Sequence, residues 1–399
     1  MAQRDSDGRA PGQSTGRGST SPDVLVIGAG IMGLWAAVKA ARRGASVRLV
    51  EGRRVGAGAS GGLLGALMPH GPDRWNEKKQ VQFEALMALP GEIAALEAAN
   101  GLSAGYRRCG RLVPLSKPHL REIALRQSAE ATIHWRQAAL GPHWRVEGRS
   151  AISGWPEDGA MACGLVHETL SARVDPRRLL ALLAAELRRF PGARLDEGVG
   201  VRGIDAEEGS VQFEDGSRLE AGAVIVACGV ASFPLIDRMR PVGASPTGSA
   251  VKGQAALLDA RIDPSWPIVY ADGLYIVPHE TGHVAIGSTS EPDAPDPLGT
   301  DGRLDALIGQ AVALAPMLKD APVIERWAGL RPRAIGREPM LGRHPDHPRL
   351  FFMTGGYKVS FGLAHRLADS VVAEIAGDPT LALPAEFAVG AHLALADMR

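Results

Sequence analysis

The sequence predicts an α/β fold: a Rossmann-type, dinucleotide-binding domain with an inserted, mainly antiparallel β-sheet domain for the substrate. Three observations predict it. An apolar run, Val24 to Ile27, breaks into Gly28-Ala29-Gly30-Ile31-Met32-Gly33 and then into an Ala-rich segment reaching Arg43. A second strand of buried type, Ala223 to Val226, closes on Cys228 and Gly229. Between 246 and 324 the texture shifts to short alternating strands, with Val251 to Leu258, Leu274 to Pro278 and His283 to Thr289 the clearest.

The first stretch supplies the strand–turn–helix context that Gly-x-Gly-x-x-Gly requires. Gly28 permits the tight turn, Gly30 leaves no Cβ between backbone and pyrophosphate, and Gly33 lets the helix pack closely on the strand. The free N–H groups of the helix start, at Ile31 and Met32, favour phosphate. The strand Ser46 to Val50 then ends in Glu51, an acid placed to accept hydrogen bonds from ribose hydroxyls. The small residues of Gly56 to Gly65, with Gly58, Ala59 and Ser60 among them, suit a loop lying against a flat ligand.

Further along, residues 77–100 and 119–139 carry helical periodicity, and Trp135, Trp144 and Trp155 read as core. Asp175-Pro176 opens a helix reaching about Phe190, with Asp175 as N-cap and Pro176 in the first turn. Asp215-Gly216 marks a hairpin after Gly198 to Val201. A helical segment at 303–318, a strand at Leu350 to Thr354 and a last helix near 362–376 complete the pattern. The domains expected are a disordered tail at 1–21, a cofactor domain from 22–84, 161–245 and 325–399, and a substrate domain from 85–160 and 246–324. Cys228 and Gly229 close a strand of the cofactor domain and so face its crevice.

Composition narrows the class. The 399 residues hold 44 basic and 44 acidic side chains, which gives no electrostatic argument for nucleic acid. Three scattered cysteines form no C-x-x-C, against a disulfide framework or zinc site. His70, His279, His344 and His347 lie at no ligand spacing, so no metal is expected. No apolar run reaches membrane-spanning length and the N-terminal residues lack a secretion signal. A cytoplasmic enzyme is expected, with a homo-oligomer left open.

In order and spacing, the fingerprint with Glu51, Gly58-Ala59-Ser60, Val174-Asp175-Pro176, Val251 to Gln254, Tyr275 to Pro278 and Trp327 to Pro332 resemble the D-amino-acid oxidase, glycine oxidase and sarcosine oxidase family of flavoenzymes. The resemblance runs from about residue 22 to 376. It implies FAD, its ADP half on residues 28–60, with Val201, Cys228, Gly229, Gly356, Tyr357 and Lys358 also on the cofactor. It implies oxidation of the C–N bond of a small amino acid or secondary amine, by hydride transfer to the flavin, imine hydrolysis and reoxidation by O2 or another electron acceptor. Arg331 matches the glycine-oxidase arginine that grips the substrate carboxylate, and Tyr275 that branch's active-site tyrosine. Gly356-Tyr357-Lys358 looks more like the sarcosine-oxidase branch, making Lys358 either a second carboxylate anchor or a charge at the flavin edge.

The departures from the family pattern bear on the chemistry. Gly336 stands where an Asp often follows, Ala285 where the sarcosine branch has its oxygen-activating lysine, and no cysteine lies in 325–345 to tether a flavin. The FAD is therefore expected to be non-covalent. A D-amino-acid dehydrogenase serving a carrier or quinone, and a flavin-bound subunit of a larger complex, both stay open.

Overall fold

The computed structural model describes residues 21–135, 143–378 and 383–399. The expected N-terminal tail, but for residue 21, and the end of the 119–139 helical segment lie outside these.

Two large sheets organise the chain. The first runs, edge to edge, through Met340–Arg343, Leu350–Thr354, Ala223–Val226, Val24–Ile27, Val47–Glu51 and Ala193–Glu197. Its strands are parallel except Met340–Arg343, which lies antiparallel on the edge. Val24–Ile27 and Ala223–Val226 are buried throughout, as strands covered on both faces must be. Val24 and Val26 face a core shared with three helices, Ile31–Arg42, Pro176–Arg188 and Ser360–Ile375. Leu25 and Ile27 face the other way, onto a small three-stranded sheet of Val201–Asp205, Ser210–Phe213 and Arg218–Glu220. Asp215 and Gly216 turn the last of its hairpins.

Local chemistry sets the helix ends. Asp175 Oδ1 accepts from the backbone N–H groups of Arg177 and Arg178 at 3.0 and 3.1 Å, so the Pro176–Arg188 helix starts where orphan donors find a carboxylate. Asn76 caps the Glu77–Asn100 helix in the same way, and Gly101, at φ +64°, ends it. A final helix, Val389–Asp397, follows the one expected to be last.

The second sheet has eight strands, ordered Val323–Ala334, Gly248–Leu258, Val284–Gly287, Leu274–Pro278, Ile268–Ala271, Arg111–Pro114, Leu165–Glu168 and Trp144–Glu147. All pairs are antiparallel except Ile268–Ala271 with Arg111–Pro114. The helix Gly302–Leu314 packs on it, and Trp135 and Trp144 share a core with the Pro118–His134 helix. Two boundaries read from the sequence do not follow the sheets. Leu165–Glu168, expected after 161 in the cofactor domain, pairs inside the eight-stranded sheet, and so does Val323–Ala334 beyond 325. The reason is that Val323–Ala334 pairs along the whole of Gly248–Leu258, yet its last residue, Ala334, is buried in the core of the six-stranded sheet beside Ile27 and Val226. Arg333 also bridges to Gly356, which follows the strand Leu350–Thr354.

Two stability tests follow. A Cβ at Gly33 would stand 1.9 Å from the Gly28 carbonyl oxygen, so helix and strand touch backbone to backbone. Gly33→Ala forces them apart, and urea denaturation should show a loss of about 1–3 kcal/mol or more. His365 is 1% exposed, with its ring 5.8 Å from that of Trp35. Burial, then the Lys39 charge beside it, pushes its pKa down to about 4. The native state thus binds fewer protons than the unfolded chain, so this contribution is complete above about pH 6.5 and drains away as pH falls toward 4. Denaturation between pH 7 and 4 should show that loss, on the order of 3 kcal/mol, and His365→Phe should flatten it.

Candidate active site

One cavity of about 1270 Å³ runs from the carboxyl ends of the parallel strands to the face of the eight-stranded sheet. It exceeds what a single small molecule needs and suits a dinucleotide with a substrate beyond it.

At the nucleotide end the glycine loop has the required shape. Gly28 sits at φ +104°, where a Cβ would meet the Ala227 carbonyl oxygen at 2.7 Å. Gly30 is extended, and a Cβ there would reach 3.1 Å from Ser60 Oγ. Ser60 Oγ accepts the Ile31 N–H at 3.1 Å, so the hydroxyl sits over the helix N-terminus with its own proton still to donate. Glu51 accepts from the N–H groups of Ala29 at 2.9 Å and Arg53 at 3.0 Å. A carboxylate has about four acceptor sites, so capacity remains for ribose hydroxyls. Cys228, which lines the same wall, has its thiol pushed up to about 11 by burial, and its Sγ lies 3.4 Å from Ser232 Oγ. That thiol is an inert neighbour at neutral pH.

Of the residues singled out from the sequence, Gly28, Gly30, Ile31, Met32, Glu51, Gly58, Ala59, Ser60, Val201, Cys228, Gly229, Tyr275, Arg331, Gly356, Tyr357 and Lys358 line this cavity. Gly33 does not; it acts one layer back, through the helix–strand contact.

At the other end Arg331 and Lys358 face the same space. Arg331 Nη1 donates to the Thr289 carbonyl at 3.1 Å, with that of Lys252 at 3.5 Å. Among the described residues no carboxylate comes within 4.0 Å of either cation. Burial lowers the Arg331 pKa, and burial with the Arg331 charge lowers that of Lys358. A guanidinium stays ionised regardless. Tyr275, on its own strand two places from Gly248–Leu258, is pushed up to about 12, by burial first and then by Tyr270, whose ring centroid lies 4.9 Å away. Its phenol is a neutral donor. The Tyr357 hydroxyl and Ser290 Oγ, 2.8 Å apart, join the two sheets' loops beside the cavity.

The sequence reading missed part of the wall. His70, Gln82, Arg111, Gln127, Trp144 and Tyr270 line it as well. Arg111 carried no distinguishing sequence signal, standing just after Arg107-Arg108.

The geometry can be set beside known proteins. Residues 23–372 match the model of the family described as FAD dependent oxidoreductase. A glycine oxidase of Pseudomonas putida is 30% identical over 353 residues, covering 86% of this chain and 92% of that protein. The bifunctional protein ThiO/ThiG of Trichormus variabilis is 28% identical over 379 residues, covering 90% of this chain; the chain spans about half that protein, 54% of its length. Among solved structures, a glycine oxidase from Geobacillus kaustophilus superposes with a TM-score of 0.80 at 24% identity, covering 93% of this chain and 99% of the other. An iminodiacetate oxidase from Chelativorans sp. gives 0.79 at 23%, covering 92% and 98%. These likenesses show the same fold. With residues 23–372 matched and a dinucleotide cradle at their start, this chain belongs to the FAD dependent oxidoreductase family.

Proposed function

We propose that the enzyme oxidises the C–N bond of a small amino acid or N-methyl amino acid, of the glycine, sarcosine or D-amino acid kind. The observation that carries this reading is the pair of cations, Arg331 and Lys358, facing the cavity with no carboxylate among the described residues within 4.0 Å of either. A small anion offsets that charge where a neutral amine would not. Arg331 presents a planar fork on a strand, so it fixes the angle of a carboxylate as well as its position. The neutral Tyr275 phenol can donate to the same carboxylate, and Lys358 supplies a second positive charge.

The glycine-rich loop, Glu51 and Ser60 would hold the FAD, whose chemistry when bound is acceptance of a hydride from the carbon beside the nitrogen. The substrate must first present a neutral amine, since an ammonium has no lone pair to share with the developing imine. Two cations close by disfavour the ammonium form, so the chain's own charge favours that state without a dedicated base. Water then hydrolyses the imine to a carbonyl compound and ammonia, or an amine where the substrate is N-methylated. A flavin held without a covalent bond is part of this proposal.

For the electron acceptor, the fully buried Ala285 favours a second reading. Its side chain sits in an apolar cluster with Leu63 and Val277, so no cation stands at that position to assist O2. A dehydrogenase delivering electrons to a carrier or quinone is consistent with that.

The deciding experiment is anaerobic addition of glycine, sarcosine, D-alanine and D-proline to the purified FAD-loaded protein. Loss of the flavin band is expected with at least one; a spectrum unmoved by all of them overturns the proposal. Admitting air then separates oxidase from dehydrogenase by the speed of recovery. Arg331→Leu should keep its FAD spectrum while kcat/KM falls roughly 10²-fold or more, the cost of removing hydrogen bonds to a charged group.

A further inference from the structure

Gly253 and Gly329 stand opposite one another where the strands Gly248–Leu258 and Val323–Ala334 pair, in the register that also sets Val251 against Arg331 and Ala255 against Trp327. These positions share one face of the sheet, and Arg331, Ala255 and Trp327 line the cavity from it. Two bare Cα atoms side by side make a hollow in that face, and two large side chains fill it. A Cβ at Gly329 would overlap Cζ2 and Cη2 of Trp327, and one at Gly253 would overlap Cζ and both outer nitrogens of Arg331. The guanidinium therefore leans across onto the neighbouring strand, into the volume a side chain at 253 would take.

Backbone conformation does not demand a glycine there. Gly253 lies inside a strand, with φ outside the left-handed region. Glycine in a strand interior weakens it, and often marks a place where another group must come close. Backbone fixes the seat from the side. Arg331 Nη1 donates to the Thr289 carbonyl at 3.1 Å. Thr289 is tied in turn to the residue after Gly253: the N–H of the fully buried Gln254 donates to Thr289 Oγ1 at 2.8 Å, and the Gln254 carbonyl accepts the Thr289 N–H at 3.3 Å. Among the described residues no acceptor takes Nε or Nη2 of Arg331. One edge of the fork keeps its donors, and its direction is set by the glycine beneath and the carbonyl beside it.

Resting on the amino-acid reading above, we infer that Gly253 is a positioning residue for the carboxylate anchor: its missing side chain is the seat of the Arg331 guanidinium, which the Thr289 carbonyl holds so that the Nε–Nη2 edge is left for the substrate carboxylate. A methyl group at 253 displaces the far end of a flexible side chain and not the backbone, so the fold survives while the anchor is misplaced.

The test is a double-mutant cycle on the FAD-loaded protein with Gly253→Ala, Arg331→Leu and both together. Gly253→Ala should keep the flavin spectrum and the urea midpoint of the wild type, whereas a residue needed only for the sheet would move the midpoint. Its apparent Kd for the amine that reduces the flavin anaerobically should rise about 10- to 100-fold, the worth of hydrogen bonds to a charged group. In the Arg331→Leu background the same change should add less than about twofold, since the guanidinium it displaces is gone. Unchanged affinity in Gly253→Ala, or losses that multiply in the double variant, overturn the inference and leave amine oxidation in place. If Gly253→Ala fails to fold or to hold FAD, recovery in the double variant supports the inference and failure there sinks it. If no amine reduces the flavin, oxidation falls, and acetate titrated against the flavin spectrum decides. A wild-type perturbation that Gly253→Ala weakens, and the double variant weakens no more than Arg331→Leu, supports the seat; no perturbation, or one Gly253→Ala leaves alone, overturns it.

Discussion

The contact between the backbone at Gly28 and the helix at Gly33 is the constraint on which the cofactor half depends. With no Cβ at 33 the Ile31–Arg42 helix lies against the first strand. Its N-terminus is thereby brought over the crevice, under the Ser60 hydroxyl. Glu51 then gathers the loop from the next strand by accepting from Ala29. Remove the close approach and the helix dipole, the serine and the carboxylate no longer converge on one place.

The cavity is electrostatically divided. Its nucleotide end combines backbone donors with an acid suited to hydroxyl groups. Its other end holds Arg331 and Lys358, both disfavoured in their charged forms by burial, and Lys358 by the Arg331 charge as well. Under the proposed function, the substrate carboxylate offsets that cost. The same burial keeps Tyr275 protonated, so its phenol retains a proton to donate.

What was legible in the sequence was local. Asp175 before Pro176, Asp215-Gly216 and the glycine loop each act within a few residues, so their chemistry can be read off the chain. Arg331 and Tyr275 were singled out by resemblance, and both line the cavity. Arg111 was not, because its strand takes its place in the cavity wall by pairing with Ile268–Ala271 and Leu165–Glu168, both distant in sequence. The strand Leu165–Glu168 was misplaced for the same reason. Helix Val389–Asp397 was missed because its Ala, Leu and His residues mark no clear apolar stripe.

The strand Val323–Ala334 is hydrogen-bonded into one sheet and anchored by its last residue in the core of the other. Arg331 lies three residues from that anchor. Swinging the two halves apart like a clamshell would require tearing a long ladder or pulling Ala334 from its seat. The Tyr357–Ser290 contact adds a further tie between loops of the two sheets. The distance between the Arg331 strand and the nucleotide cradle is a fixed dimension of the molecule, not a variable of its cycle.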